Sequence, residues 1–507
     1  MIGGRARAAL EAAVLGGAFA VAYGQAPLYT ENQNAYMLRG LARAGVGALS
    51  RDWTAQTVDS FPLFTWLVTV VARTGHVSLF HGIYAGVLAL YAIAMVGVVS
   101  AVFHLDRRQS QLVWIGVTAL HAAAVLSAAR VVGLDTLLMA LLGDLGFHLL
   151  GPGLQPSVCA SFLIASAWAY ARGRPWLAVC LSSAVATLHS NFLLSAATLT
   201  VAYMAGLTME GKRGRALWVG LTSLVTVLPA VAFTAARFYP TSPDVFRAAT
   251  HVLNDGLLYS EMHVSGWFGP AAIGQLTAIV AAIVVLRGHR MFPVLLAPLV
   301  VGGLLTATHL VTGSHTIGLL EPWRMSVWVA PLATCVLIGR AAVWASARRS
   351  LDGADARRWV GRAVVAVMAG CAAGGVVVSV HRVRYAQSLN DVGVLTFVRT
   401  HRTATDLYLI PTAFQRFRLS TGAPALADSK THPFKDVEVV EWDARMQAAE
   451  SVYVAGASDV CERLARVRER YGITHVVVPQ DRAVSCEGVD TVFSDRHFRL
   501  LRFAPIG

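Results

Sequence analysis

Three carboxylates in one polar stretch of the chain could do chemistry together. Glu31, Asp52 and Asp59 all lie within residues 29–76, directly after the first apolar stretch. A carboxylate at a membrane surface can act as general base on an acceptor hydroxyl, or hold a divalent ion against a phosphate. The alternative is structural: Glu31 would cap a helix, and Asp52 would pair with a nearby arginine. The residue types alone leave both roles open.

Isolated ionisable residues also interrupt the apolar regions. Asp144 and His148 are four residues apart and share one helix face, where they would form a polar cavity wall or a satisfied internal pair. His189 could bind a lipid headgroup or form a short outward turn. Arg324 precedes an apolar stretch, and its planar guanidinium could bind a phosphate or anchor the chain at the interface.

The elements that position these groups are predicted from composition. The 507-residue chain is 55% hydrophobic and 14% charged, against about 25% charged in ordinary soluble domains. Its long apolar stretches cannot fold around a water-soluble core, so residues 1–383 are predicted to form a multi-span transmembrane domain. The predicted eleven spans are 8–28, 77–104, 111–130, 155–171, 175–190, 192–208, 216–236, 271–287, 291–312, 324–346 and 361–381.

Charge gives these spans a direction. The basic residues of the short loops fall on one side of the membrane if the N-terminus is cytoplasmic, as basic loops beside spans usually do. Eleven spans then place the C-terminus outside, together with the long first loop, 29–76. The apolar run 133–150 contains ionisable residues, which are costly in lipid, so we predict a re-entrant or interfacial hairpin there. The first stretch lacks a small-residue cleavage site and is interpreted as a retained span.

The net charge of +13 does not indicate nucleic-acid binding. Of the 42 basic residues, 25 lie before residue 381, mostly in short loops between spans. The tail is nearly balanced, with 17 basic and 15 acidic residues. The sequence therefore excludes a nucleic acid as the expected partner.

Residues 384–507 are predicted to form a small soluble α/β domain. Strands are predicted at 406–410, 451–454, 474–478 and 497–501, and an arginine-rich helix at 457–471. Lys430 lies in a polar segment, 411–445, that would face the membrane domain or form a solvated loop. No nucleotide-binding or hydrolase motif is present. Cys461 and Cys486 would be able to pair outside the cytoplasm, but sequence cannot show their proximity.

This layout resembles the GT-C superfamily of membrane glycosyltransferases, in particular its uncharacterised bacterial members. The resemblance covers most of the chain in organisation: many spans, a long first outward loop with an acid soon after the first span, and an extracytoplasmic tail. The segments that resemble the family most are Glu31–Tyr36, Asp52-Trp53, Pro156-Ser157, His189-Ser190-Asn191, Pro322-Trp323-Arg324 and Pro411–Arg445.

The resemblance implies an enzyme of the bacterial inner membrane that moves a hexosyl or pentosyl group, with inversion. The donor would be a polyprenyl-phosphate-linked sugar, and the acceptor an envelope glycan or lipid. Glu31 or Asp52 would be the catalytic acid of the first loop. Many members carry adjacent acids there, whereas Asn32 and Asn34 follow Glu31 here, so the base and any divalent cation stay open.

The resemblance also implies a set of substrate contacts. Arg324 would bind the lipid phosphate. The remaining expected substrate-binding residues are Asn34, Asp59, Asp144, His148, His189 and Lys430. A lipid or solute transporter and a non-catalytic scaffold for envelope polysaccharide assembly are the alternatives. A transporter would be expected to show internal repeats with paired broken helices.

Overall fold

The computed structural model describes residues 2–143, 149–257, 264–347, 354–454, 459–482 and 484–504. The chain divides into two compact units. The helical unit comprises Met1–Gln25, Phe80–Phe233 and Leu258–His381. The loop–tail unit comprises Ala26–Leu79, Thr234–Leu257 and Arg382–Gly507. Residues of the predicted first outward loop therefore belong to the same unit as the predicted soluble tail.

Long apolar helices dominate the first 387 residues. Within the described ranges, seven helices are long and apolar enough to cross a membrane, which indicates a membrane protein. They are Ala6–Tyr23, Ser78–Phe103, Ser190–Met209, Arg213–Arg237, Phe292–Thr312, Thr316–Ser346 and Arg358–Gln387. The number rises to eight if Arg107–His121 and Ala123–Val131, which meet at a 54° bend, form one span.

The predicted count of eleven spans is not confirmed. All eleven predicted stretches are largely helical, but three of the helices are shorter than a perpendicular span needs: Pro156–Ala171, Pro175–Leu188 and Pro270–Val285. Each begins at a proline. The fixed φ of proline suits the first position of a helix, and proline has no backbone N–H that would be left without a hydrogen-bond partner there. Hydropathy measures composition and does not register these helix starts.

The apolar run 133–150 is only partly described. Asp135–Leu141 forms a helix of seven residues, too short to cross a membrane. Asp144 and His148 lie outside the described residues.

Small residues allow close packing in the helical unit. A Cβ atom added at Gly375 would lie 2.0 Å from the carbonyl oxygen of Val21. The helix that contains Gly375 therefore touches the backbone of the first helix, as small residues permit between membrane helices.

Short helices and one sheet build the loop–tail unit. Among its described residues, the helices of four or more residues are Gln33–Tyr36, Leu38–Arg43, Trp53–Gln56, Pro62–Arg73, Pro243–His251, the π-helix Val252–Leu257, Val392–His401, Phe417–Thr421, Asp436–Val452 and Val460–Tyr471. The strands are β1 (Tyr408–Leu409), β2 (His475–Pro479), β3 (Val489–Ser494) and β4 (Phe498–Phe503). The sheet order is β1-β2-β4-β3, in which β1 runs parallel to β2 and the other pairs are antiparallel.

Both faces of the central strand β2 are covered. Val476 and Val478 pack into one apolar cluster with residues of the helices Asp436–Val452 and Val460–Tyr471. Val477 packs on the opposite face with Val394 and other apolar residues. Burial on both faces explains why β2 is a continuous apolar run.

The tail strands were predicted with mixed success. β1, β2 and β4 overlap the predicted strands 406–410, 474–478 and 497–501. The predicted strand at 451–454 is wrong, because Ser451 and Val452 end the helix Asp436–Val452. A short apolar run is ambiguous between strand and helix, and here the preceding alanines and charged residues continue a helix.

Candidate functional site

A buried cluster of one arginine and two aspartates joins two distant segments of the loop–tail unit. Arg418 forms ion pairs with Asp52 and Asp428, and all three side chains are at most 1% exposed. The Nε atom of Arg418 donates to Asp52 at 2.6 Å. Burial lowers the pKa of Arg418, but the charges of Asp52 and Asp428 outweigh it and raise the pKa above the ordinary value. The guanidinium therefore stays charged.

Both carboxylate oxygens of Asp52 accept hydrogen bonds. Its Oδ1 atom accepts from the backbone N–H groups of Thr54 and Ala55, which caps the helix Trp53–Gln56. Its Oδ2 atom accepts from Arg418 and from the backbone N–H of Ala425. A carboxylate held in this way stabilises the unit and has little freedom to take a proton from a substrate.

Asp428 positions the predicted contact Lys430. The Oδ1 atom of Asp428 accepts from the backbone N–H groups of Lys430 and Thr431, at 2.8 and 2.7 Å. Because Arg418 and Asp428 are buried, the part of segment 411–445 that contains them is not a solvated loop. A charged residue between two apolar ones, as in Phe417-Arg418-Leu419, was the sequence signal for this burial.

Asp59 belongs to a second charged cluster of the same unit. Its Oδ1 atom accepts from the backbone N–H of Phe61 and the hydroxyl of Thr65, and its Oδ2 atom lies 2.9 Å from Arg43. Burial lowers the pKa of Arg39, although the charges of Asp59 and Glu438 oppose the shift.

Glu438 holds the neighbouring backbone in place. Its carboxylate accepts from the backbone N–H of Val58 at 2.9 Å. Burial raises the pKa of Glu438. The sequence prediction did not include Glu438 among the site residues, because nothing in the helix Asp436–Val452 marks this one acid among several.

Five aromatic side chains form a continuous group, which we call the aromatic–polar cluster: Tyr36, Phe61, Phe434, His432 and Trp442. Successive ring centroids lie 5.0, 5.9, 5.0 and 6.1 Å apart along this series. The series links the first loop to the tail segment, both within the loop–tail unit.

Several polar atoms in and beside the aromatic–polar cluster are inaccessible and lack hydrogen-bond partners in the described part of the chain. They are Ser60 Oγ, Thr431 Oγ1 and His432 Nδ1. Burial lowers the pKa of His432 to about 4; a hydrogen bond to the backbone of Lys430 opposes this shift, and the charges of Lys430 and Arg39 add to it. The imidazole is therefore neutral near pH 7 and offers both a donor and an acceptor nitrogen. Unsatisfied groups of this kind are costly unless a ligand or water meets them.

Glu31 lies on a strained turn of the first loop. It is exposed, and its φ of 46° lies in the left-handed region, as does the φ of 67° at Tyr29. The backbone N–H of Tyr29 donates to the side chain of Gln33 at 2.8 Å, which helps to hold the turn. Left-handed backbone at a non-glycine residue costs about 1–3 kcal/mol and is concentrated at functional sites.

Asn34 follows this turn and is buried. Its side chain is 3% exposed, and its Oδ1 atom finds no hydrogen-bond partner among the described residues. The loop therefore combines an accessible carboxylate with an inward amide oxygen.

The helical unit brings two other predicted residues together. Arg324 forms an ion pair with Glu321 and lies close enough to His189 for their charges to interact. The side chain of Asn191 hydrogen-bonds to Glu321. Glu321 has a φ of 46°. Sequence analysis missed Glu321 as a site residue, although its spacing of three from Arg324 before a span was visible.

Two further findings bear on chemistry. Within the described ranges, no three His, Cys, Asp or Glu side chains gather closely enough to hold a metal ion. Cys461 and Cys486 form a disulfide, with a sequence separation of 25.

Comparison with known proteins adds one finding. Residues 391–449 match a family described as a domain of unknown function, DUF6798. No curated protein matches the chain. The matched segment contains Arg418, Asp428, His432 and Glu438, so the chain is similar to that family where the buried polar residues of the loop–tail unit are concentrated.

Proposed function

We propose that the chain is a membrane glycosyltransferase of the GT-C type. It transfers a sugar from a polyprenyl-phosphate donor to an envelope glycan or lipid acceptor on the extracytoplasmic face of a bacterial plasma membrane. The aromatic–polar cluster is the observation that carries this proposal. A sugar has apolar C–H faces that pack on aromatic rings and hydroxyls that pair with polar atoms. The unsatisfied atoms of Ser60, Thr431 and His432 would supply such pairs once the side chains that cover them move apart to admit the sugar.

Glu31 is the proposed general base. Its carboxylate is exposed on a strained turn, whereas Asp52 is fully engaged in the ion-pair cluster. Tyr36 of the aromatic–polar cluster follows Glu31 by five residues. We therefore prefer Glu31 to Asp52 as the general base, because the exposed carboxylate of Glu31 can exchange a proton with a substrate.

The reaction balances without a nucleotide. Glu31 takes the proton of the acceptor hydroxyl as the hydroxyl oxygen bonds to the anomeric carbon of the donor. The bond between that carbon and the phosphate oxygen breaks, and polyprenyl phosphate leaves with the electron pair. Attack from the face opposite the leaving group inverts the anomeric centre.

The helical unit, taken by itself, contains a polar group suited to a phosphate. Arg324 and His189 lie in one buried polar group with Asn191 and Glu321. A guanidinium offers a planar pair of donors that matches phosphate oxygens. Glu321 would hold Arg324 in position before the donor binds.

The disulfide supports an extracytoplasmic location for the loop–tail unit. Disulfides form and persist outside the cytoplasm and are rare within it. The Cys461–Cys486 bond and the basic loops on the opposite side therefore favour the same orientation.

Glycan analysis of a strain that lacks the protein tests this function. We expect mass spectrometry to show envelope glycans or glycolipids that lack one hexose or pentose, and the wild-type gene to restore it. Glu31→Gln should fail to restore it, because losing a general base lowers the rate by about 10²- to 10⁴-fold. Glu469→Gln, which changes an exposed carboxylate on the helix Val460–Tyr471, is the matched control and should restore the sugar.

Other outcomes would separate the alternatives. Full restoration by Glu31→Gln would overturn its role as general base. An unchanged glycan profile in the deletion strain would overturn glycosyl transfer itself. Build-up of the complete glycan on the cytoplasmic side would instead indicate a transporter.

A further inference from the structure

The helical unit contains a cavity of about 710 Å³, and none of the residues used in the proposed transfer reaction line it. Four helices line it: the first helix, the second half of Ser78–Phe103, the start of Arg107–His121 and the end of Ser161–Ala171. Its volume lies within the range of about 300–1,000 Å³ that is typical of small-molecule sites.

The rim of the cavity is positively charged. Arg7, Arg107 and Arg172 line it, against two acids, Glu11 and Asp106. Glu11 pairs with Arg107 at 3.1 Å. Asp106 accepts from the backbone N–H of Gln109 and caps the helix that follows.

Two arginines remain to attract an anion. Within the described residues, neither Arg7 nor Arg172 forms an ion pair with an acid. Both side chains are exposed at the rim, so a ligand can reach them. The rim therefore has the charge that a phosphate group requires.

Polarity falls from the rim inward on every wall. Arg7 is followed by Leu15 on the first helix, and Ser100 is preceded by Ile93 on the second. Arg107 is followed by Trp114, and Arg172 is preceded by Trp168. Seven or eight helical residues span about 10–12 Å, so charged ends and apolar walls are separated by that depth. On the fourth helix the separation is shorter, since Trp168 and Arg172 are four residues or about 6 Å apart.

The cavity also contains a buried donor. The Nε1 atom of Trp168 is inaccessible and has no hydrogen-bond partner among the described residues. Indole N–H groups usually find a partner when buried. Because this atom is covered, a ligand oxygen in the cavity would meet it only after the indole moves.

We infer that this cavity binds an anionic membrane lipid, with its phosphate between Arg7 and Arg172 and an acyl chain along the apolar walls. Basic pockets between membrane helices bind lipid headgroups in this way. A free phosphate would use only the charged rim. The apolar depth is what favours a lipid, because a soluble anion gains nothing from it.

This site is separate from the proposed transfer reaction. The arginines at its rim belong to the basic loops that predict the cytoplasmic side, whereas the transfer is proposed on the other side. The lipid would therefore stabilise the helical unit or regulate it, and would not be the sugar donor.

Native mass spectrometry of the full-length protein tests the inference. The protein in mild detergent is titrated with phosphatidylglycerol, with phosphatidylcholine and with inorganic phosphate. We expect the first bound lipid to be phosphatidylglycerol, and Arg7→Gln/Arg172→Gln to weaken that binding by about tenfold or more. Arg7→Lys/Arg172→Lys, which keeps the charge, should retain most of it.

Arg174→Gln/Arg215→Gln provides the matched control. It removes two exposed charges that do not line the cavity, one just before the helix Pro175–Leu188 and one in the first turn of the helix Arg213–Arg237, and should leave the first phosphatidylglycerol bound. Equal loss in both double variants would overturn the site. Equal affinity for phosphatidylcholine would overturn the anionic requirement, and displacement of the lipid by inorganic phosphate at millimolar concentration would overturn the role of the apolar walls.

Discussion

Arg418 is the buried cation between two buried carboxylates of the loop–tail unit, Asp52 and Asp428. Replacing it with methionine leaves the carboxylates of Asp52 and Asp428 buried without a cation. Breaking a buried ion pair by removing one partner costs about 3–5 kcal/mol. Arg418→Met should therefore lower the thermal unfolding temperature of the full-length protein in detergent by several degrees.

Arg51→Gln is the control for this prediction. Arg51 is exposed and donates one hydrogen bond, to the carbonyl of Ala404. Surface substitutions of this kind usually change stability by less than about 0.5 kcal/mol. Equal shifts in the two variants would show that the buried cluster is not a special source of stability.

His432 makes the loop–tail unit sensitive to acid. Burial lowers its pKa from 6.5 to about 4 in the folded protein. Between these values the unfolded chain binds more protons than the folded one, so stability falls as pH is lowered from about 6.5 towards 4. The contribution is fully present above pH 6.5.

Unfolding temperatures measured at a series of pH values test this dependence. His432→Gln should flatten the fall in stability between pH 6.5 and 4 relative to the wild type. Comparing the two proteins at each pH cancels the contributions of the other titrating groups to stability. His475, whose pKa is also lowered by burial, is one of these groups. Parallel curves for the two proteins would exclude this role of His432.

At the scale of elements, the disulfide fastens a helix to the sheet. Cys461 lies in the helix Val460–Tyr471, and Cys486 precedes β3. Closing a loop of 25 residues stabilises the folded state by about 3.5 kcal/mol in the chain-entropy model. Cys461→Ser/Cys486→Ser should therefore lower the unfolding temperature.

Alkylation under denaturing conditions tests the bond directly. Without reductant, four of the six cysteines should react, since Cys159, Cys180, Cys335 and Cys371 are free. After reduction all six should react. Six reactive thiols before reduction would show that the two cysteines are not bonded, and would remove one support for the extracytoplasmic location.

Local patterns predicted the elements better than they predicted the site. β2 was predicted because a run of valines buried on both faces is visible in the sequence. β3 was missed because its residues Val489–Ser494 are mostly exposed or half-buried and give no apolar signal. The bend after His121 and the short helices were also missed, since hydropathy reports composition over a window and not where a helix ends.

The site residues depended on contacts between distant parts of the chain. Asp52 and Arg418 are separated by 366 positions, and no local pattern relates them. The acids of the first loop were found because charged residues are rare in this chain. The sequence did not show that Asp52 is buried and hydrogen-bonded while Glu31 is exposed. That difference depends on partners from distant parts of the chain, which only the fold brings together.

At the scale of the whole molecule, the loop–tail unit is built from three separate chain segments. The sequence divided the chain at residue 383, which assigned the first loop to the membrane domain. The contacts of Asp52 with Arg418 and of Val58 with Glu438 instead bind residues of that loop to the tail. The loop should therefore depend on residues 384–507 for its folded state.

A chain truncated after residue 383 tests this dependence, because it removes every partner that the tail supplies. Asp52 would lose Arg418 and the backbone N–H of Ala425, and an unpaired buried charge is strongly unfavourable. The helix Leu38–Arg43 should then open, which would expose Arg39, now only 7% exposed, to trypsin. Arg73 is already exposed and serves as an internal reference that is cut in both proteins.

The ratio of the two cleavage rates gives the answer in one digestion, since both sites lie in the same loop and meet the same protease. In detergent, trypsin should cut after Arg39 much faster in the truncated chain than in the full-length protein, while cleavage after Arg73 stays similar. Continued protection of Arg39 in the truncated chain would mean that the first loop folds without the tail. In that case the first loop and the tail would fold independently, and the Asp52–Arg418 pair would form only afterwards. Arg418→Met would then destabilise the tail and not the loop.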